Sequence, residues 1–331
     1  MARYLLRRAA GRLVLVALAA SLAYLLAAAC LRPRADFEAR NPRPSRQVID
    51  AEMVRLGIDD TRPLADRYAA WATGVVHGDF GRTVDDRPVA AELGRRLGVS
   101  LRLLSIGAVA GPAAGVALGA YGAIRRHRLG DRLTTVAAFA ILTVPAFVLA
   151  LFVQLGAQWV DAVTGLRILA YVGEHTPGRA GAGGILPGLA DRARHLVLPT
   201  ATIALGQAAL YSRYQRTMLL ETLAADHVRA ALARGVRRHT VVRRYALRPA
   251  LVPVGIYGSY QAGLLVTGAI FTEKAFGWHG MGEWLVESIA RGDVNAVAAI
   301  GCCAAVLMSA AGLLADVLAG IADPRVRGSA T

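Results

Sequence analysis

Six stretches of this 331-residue chain carry essentially no charge: Leu13–Leu31, Leu103–Ile124, Leu133–Gly156, Leu196–Ser212, Ala250–Thr272 and Ala296–Ala315. Each is near or above the roughly 17–25 residues that a helix needs to cross a hydrocarbon core. No water reaches that layer, so every backbone N–H and C=O must be satisfied within the protein. Long alanine- and leucine-rich runs do this as helices, not as the short alternating strands of a barrel. The chain therefore reads as an all-α, polytopic membrane protein with six transmembrane helices. A hydrophobic share of 55% and a mean hydropathy of +0.43 agree, being too apolar for a soluble domain of this size.

Charge sets the orientation. Arg3, Arg7, Arg8 and Arg12 precede the first stretch, Arg125, Arg126, Arg128 and Arg132 separate the second from the third, and seven arginines lie in the loop Glu221–Pro253 between the fourth and fifth. In a six-crossing chain all three groups fall on one side, which the positive-inside bias makes cytoplasmic. Arg325 and Arg327 join them, so both termini are expected in the cytoplasm. Residues 1–98 then comprise the first helix and an outer segment of mixed charge, 99–322 a five-helix core with a cytoplasmic loop at 218–249, and 323–331 a tail. Trp71, Trp159, Trp278 and Trp284 fall in outer segments, as an interfacial belt would place them. The net charge of +15 is accounted for by these arginines at an anionic membrane face. Nothing interleaves them with stacking aromatics, so no nucleic acid is implied.

The loop Glu221–Pro253, ETLAADHVRAALARGVRRHTVVRRYALRPALVP, has an order of its own. Asp226 can N-cap a short helix and Gly235 can close it as the left-handed residue after its end. Between them Ala230, Ala231 and Ala233 would be exposed, small enough for another surface to approach the backbone. Arg229, Arg234, Arg237, Arg238, Arg243, Arg244 and Arg248 surround the helix. By its residues alone the segment is either a docking helix or a basic loop that fixes orientation.

Arg229-Ala230-Ala231 with Gly235 four residues on resembles the Glu-Ala-Ala-x-x-x-Gly loop of permease subunits of ABC-type importers. Asp226–Val236 and Ala246–Leu251 are similar to the dipeptide and oligopeptide permease branch, B-type. Arg229 stands where the general motif has Glu, and Arg234 where the peptide branch commonly has Lys. The resemblance continues through Pro44–Asp59, Tyr68–Trp71, His77–Thr83, Leu142–Phe147, Phe276–Gly282, Asp316 and Asp323–Arg327, nearly the whole chain. It implies a coupling helix at Asp226, Arg229, Ala230, Ala231, Arg234 and Gly235 that sits in a groove of a separate ATPase. It also implies a second homologous permease subunit, two ATP-binding subunits, an extracytoplasmic solute-binding protein, a peptide substrate and a prokaryotic inner membrane. Permeases of the same branch for nickel or another small solute are the alternative.

Inside the stretches, Gln207 and Gln261 either line a translocation path or bond helix to helix. Pro145 either kinks its helix or only packs. Gly277, Gly280 and Gly282 suit a tight outer turn, followed by a short interfacial helix over Met281–Ala290 or a plain connection. Met1–Cys30, with Ala27-Ala28-Ala29-Cys30, has the outline of a signal segment but is expected to be retained as the first helix.

Catalysis finds no support in the residues. The single lysine, Lys274, follows Glu273 and belongs to no phosphate-binding loop. HExxH is absent and all seven histidines lie outside the uncharged stretches. Ser259 has no histidine in the sixth stretch to activate it. Cys30, Cys302 and Cys303 form no CxxC, and neither metal, cofactor nor disulfide is expected. A secondary transporter, the remaining alternative, would place charge near the midplane, where these stretches have none. Single cysteines placed at Arg125–Arg132 or Arg229–Arg248 in a Cys-free variant should resist an impermeant thiol reagent in intact cells, and one at Asp85 should react. External labelling of the Arg125–Arg132 loop would reverse the assigned orientation.

Overall fold

The structure is a computed structural model that describes residues 2–165, 169–176 and 185–322, with residues 2–5, 185, 266–268 and 322 described by their backbone alone. The tail 323–331, and with it Asp323–Arg327, lies outside the described residues, as does the side chain of Arg3. The helices are α1 (Ala2–Cys30), α2 (Pro33–Glu38), α3 (Arg46–Arg55), α4 (Leu64–Val76), α5 (Val89–Ser105), α6 (Gly107–Ile124), α7 (Leu129–Thr143) and α8 (Ala146–Thr164). They continue as α9 (Ile185–Ala224), α10 (Asp226–Ala233), α11 (Arg238–Thr240), α12 (Arg248–Gly268), α13 (Ile270–Phe276), α14 (Met281–Ala290) and α15 (Val294–Ala322). Among the described residues no extended strand occurs, only one isolated bridge between Arg82 and Pro88.

Among the described residues four helices are long and apolar enough to cross a membrane: Leu6–Cys30, Val89–Ile124, Ala146–Thr164 and Val294–Ile321, with a fifth if the bent pair Arg238–Leu265 and Ile270–Phe276 counts as one. The expected stretch Leu133–Gly156 is not one continuous helix. α7 ends at Thr143, Val144 is extended at φ −82° and ψ 126°, and α8 restarts after Pro145. The proline ring disfavours helical geometry at the residue before it, so the spanning segment here is Ala146–Thr164. Leu196–Ser212 lies within the 40-residue α9, where Thr200, Thr202 and Gln207 dilute the apolar character.

Two compact units are present. The first comprises Met1–Leu101, Val266–Ile270 and His279–Leu313. Its core gathers Tyr24, Ile49, Met53, Trp71, Val294 and Ala298, with the Tyr24 and Trp71 rings stacked 4.6 Å apart. Ser45 accepts a hydrogen bond from Val48 N at 3.4 Å and so starts α3. Asp293 does the same for α15, accepting from Ala296 N at 3.0 Å, and also accepts from Val84 N at 3.0 Å. Asn295 donates to the carbonyls of Leu56 and Arg82, both at 3.0 Å, fastening the outer turns to α15. Gly78 and Gly81 have φ of 81° and 82°, as that turn requires. Trp71 and Trp284 are buried here, while Trp278 of the second unit is 1% exposed. The expected tryptophan belt is thus corrected: Trp159 alone of the four is exposed, and the others fill cores.

The second unit comprises, among the described residues, those within Arg102–Leu265, Phe271–Trp278 and 314–322. Its organising contact is between α6 and α9. Gly107, Gly111, Gly115 and Gly119 recur at every fourth position of α6 and are turned toward α9. A Cβ on Gly111 would stand 2.6 Å from Gln207 Cβ, one on Gly115 2.7 Å from the Ala208 carbonyl, and one on Gly119 2.3 Å from the Ser212 carbonyl. The two backbones therefore touch directly, the arrangement that small residues permit between membrane helices. Gly115→Leu should push α9 away and cost about 1–3 kcal/mol or more. It should lower the melting temperature of the detergent-solubilised protein, whereas Gly156→Leu, where a Cβ meets nothing within 4 Å, should not.

Candidate functional site

The loop after α9 folds against the second unit. Ala225, extended at φ −69° and ψ 149°, turns the chain out of α9, and α10 follows. Asp226 is the first residue of α10 and not its N-cap; Ala225 holds the cap position and makes no side-chain bond. The expectation that Asp226 caps is corrected: its carboxylate instead meets the Arg229 guanidinium at 2.6 Å. At the far end Gly235 has φ +78°. Its N–H donates to the Leu232 carbonyl at 2.9 Å and that of Val236 to the Ala231 carbonyl at 3.2 Å, the two crossed bonds of a Schellman close.

α10 has an inward and an outward side. Val228 and Ala231 pack with Ala123, Leu219, Val241, Ala246 and Ala250 in a small core, and Ala231 is 0% exposed. The expected exposure of Ala231 is thereby corrected, while Ala230 and Ala233 do lie outside. Helical spacing explains the split, since 228 and 231 share a face three residues apart. Sequence reasoning missed Leu232, which is 45% exposed and stands with Ala230 and Ala233 as the apolar part of the outer face. Arg229, Arg234, Arg237, Arg238, Arg243, Arg244 and Arg248 are all exposed around it.

Beyond Gly235 the chain re-enters helix through α11 and a π-helical turn, Val241–Leu247. Pro249 lacks the N–H that would bond the Tyr245 carbonyl in an α-helix, a site where a wide turn relieves the ring. His227 Nε2 lies 3.1 Å from that same carbonyl. A carbonyl can only accept, so the contact requires the proton on Nε2. The proline's missing bond is thus supplied by α10, which ties the loop helix to the start of α12.

A second tie lies close by in sequence to the arginine loop at 125–132. Arg216 of α9 donates twice to Asp131 of α7, from Nε at 2.6 Å and from Nη2 at 2.9 Å, and His127 N donates to the same carboxylate at 2.9 Å. Gly122 makes room, since a Cβ there would stand 3.0 Å from Asp131 Oδ1. The hydrogen bonds from Arg216 hold the buried Asp131 carboxyl below the usual carboxylate range, against the opposing effect of burial. Within the spans, Gln207 faces α6 with its Oε1 buried and unbonded. Gln261 bonds the Tyr257 hydroxyl. The Tyr211 ring of α9 and the Tyr257 ring of α12 are 5.8 Å apart. Gln215, on the same α9 face and 0% exposed, has neither amide atom bonded and was not expected from the sequence. Gln154 of α8 is satisfied by the Ala275 carbonyl at 2.9 Å.

Residues 115–328, which include α9, the loop and α12, match the family of binding-protein-dependent transport system inner membrane components. The chain belongs to this family. It is 48% identical over 327 residues, 99% of both chains, to the oligopeptide transport system permease protein OppB of Mycobacterium tuberculosis. It is 33% identical over 290 residues, 84% of both chains, to a putative peptide permease protein of Brucella ovis. To the glutathione transport system permease protein GsiC of Escherichia coli K12 it is 30% identical over 293 residues, 86% of both. The protein is accordingly an all-α, multi-pass inner-membrane transport component.

In this permease Asp131→Asn would leave Arg216 without its counter-charge. A loss of about 1–3 kcal/mol is expected in thermal unfolding near neutral pH, since Arg216 is still partly reached by solvent. Because the Asp131 carboxyl is lowered in the fold, the stability it contributes is present above the usual value of about 4 and is lost as pH falls below it. The variant and the parent should therefore converge on acidification. A difference that stays constant to acid pH would assign the effect to packing.

Proposed function

We propose that this chain is the peptide-conducting permease subunit of an ATP-driven importer, forming half of the translocation path. Its 48% identity, over 99% of both chains, to a protein named for oligopeptide transport is the observation that carries the reading. The partners proposed are a second homologous permease, two ATP-binding subunits on the cytoplasmic side and an extracytoplasmic solute-binding protein. ATP hydrolysis is assigned to the partners, in keeping with a chain that offers no phosphate-binding loop.

The outer face of α10 is the proposed seat of the ATPase. Leu232, Ala230 and Ala233 offer a small apolar ridge, and Arg229 and Arg234 flank it, a pattern that fits an apolar groove with an acidic rim. Asp226 and Gly235 contribute by shaping the helix, the first through its pair with Arg229 and the second through its positive φ. Ala231 acts from inside: it seats α10 on Leu219 and Val241, so that a push on α10 moves α9 and α12 together. Gln207 of α9 and Gln261 of α12, helices whose Tyr211 and Tyr257 rings meet at 5.8 Å, are proposed to line the path.

Leu232→Asp should leave the permease folded and inserted yet weaken co-purification of the ATPase at least tenfold, about 1.4 kcal/mol. Gly235→Val should do the same through the backbone, since a β-branched residue resists positive φ. Ala231→Arg should lower thermal stability as well, because the site is closed. Arg237→Gln with Arg238→Gln should alter association only modestly, exposed charges acting weakly. Full transport by Leu232→Asp and Gly235→Val, with loss on removing the two arginines, would make the loop an electrostatic anchor instead.

A further inference from the structure

The first unit contains an open-sided groove of about 450 Å³ between α1, α14 and α15. Its size falls within the range of about 300–1,000 Å³ typical of small-molecule sites. Every lining residue is apolar or a cysteine, among them Leu26 and Cys30 of α1, Leu285 and Ile289 of α14, and Ile300 and Ala304 of α15. Gly301 keeps the floor low, since a Cβ there would stand 2.6 Å from Ala23 Cβ. Leu26, Cys30 and Ile289 remain exposed along the opening.

One end of the groove is cationic. α1 ends at Cys30, and Arg32 follows the lining residue Leu31, exposed and with no ion pair among the described residues. α14 runs past Ile289 to Arg291, which pairs with Asp85 at 2.6 Å. The turn at Gly292, φ +69°, abuts Arg32: a Cβ on Gly292 would lie 2.9 Å from the Arg32 carbonyl oxygen. The apolar groove thus ends at Leu31, one residue before an exposed arginine with no ion pair among the described residues.

We infer that this groove holds an acyl chain of an anionic phospholipid whose phosphate is bound by Arg32. The amphipathic layout decides between occupants. A protein helix laid along the groove would bury Arg32 and would have to bring a carboxylate to it, because a desolvated unpaired guanidinium is costly. A phospholipid brings both parts together: acceptor oxygens that suit a guanidinium, and a chain that suits the groove. In the proposed orientation the site faces the outer leaflet. The lipid would fill the space between α1 and the α14–α15 pair, holding the first helix against the rest of its unit.

The test uses the intact importer complex in vesicles of phosphatidylethanolamine and phosphatidylglycerol, with a trace of phosphatidylglycerol bearing a photoreactive diazirine on one chain. Peptide mapping should find Ala23–Leu31 and the α14–α15 lining labelled several-fold above the exposed stretch Leu13–Leu18. Ala304→Phe, which fills the groove, should remove that excess, and Val306→Phe, exposed outside it, should not. Arg32→Gln alters an exposed side chain only, so it reports even if Ala304→Phe fails to assemble. It should abolish the preference for phosphatidylglycerol over a phosphatidylcholine probe of the same chain. Labelling no higher in the groove than at Leu13–Leu18, protection of the groove by a partner subunit, or an unchanged lipid preference in Arg32→Gln would each overturn the proposal.

Discussion

The second unit depends on the direct approach of two helix backbones. α6 and α9 touch because four glycines recur at the four-residue spacing that keeps them on one face. Lipid tails are as apolar as leucine, so burial gives two membrane helices little reason to associate, and close van der Waals contact must supply it. That requirement fixes where bulk can go. Tyr211 and Gln215, on the α9 face that meets the glycines, can be large only because α6 offers no side chain opposite. The same vacancy at Gly122 admits the Asp131 and Arg216 pair, so one stripe of missing side chains serves both packing in the span and an ion pair beyond it.

α9 carries this contact outward. Forty residues of α-helix extend about 60 Å, roughly twice a hydrocarbon core. Its last turns form one wall of the small core that seats α10, through Leu219, and Val241 and Ala246 of the π-helical stretch form another. The His227 bond to the Tyr245 carbonyl adds a polar tie where Pro249 leaves the backbone unsatisfied. α10 is therefore held on two elements at once, one from each side of the loop.

Much of this was legible in the chain, for reasons that differ by position. Uncharged runs announce spanning helices because the cost of charge in lipid is large and local. Gly235 could be placed because positive φ is a property of one residue. Ala231 could not be turned the right way from the sequence: three alanines in six residues are equally small, and only Leu219 and Val241, distant along the chain, decide which one is buried. Asp226 was misjudged by one position, the usual uncertainty of a helix start. Pro145 was visible as an interruption, but a full restart at Ala146 depends on Val144 taking the extended conformation that proline favours. The tryptophans misled because an aromatic near an interface and an aromatic in a core look alike without neighbours. The glycine stripe stands at fixed spacing in the sequence, but the helix it faces is set by the packing of α9.

Gln207 and Gln215 show what the packing leaves unresolved within the fold itself. Both lie on the α9 face against the glycines, and three of their four amide atoms are buried without a hydrogen bond. Such groups are costly in a dry interior. Their placement follows from the glycines: a Cβ on Gly111 would stand 2.6 Å from Gln207 Cβ and one on Gly119 2.9 Å from Gln215 Cβ, so each amide stem enters where α6 has no side chain. The close approach that holds the unit together is thus also what buries these amide atoms away from a partner.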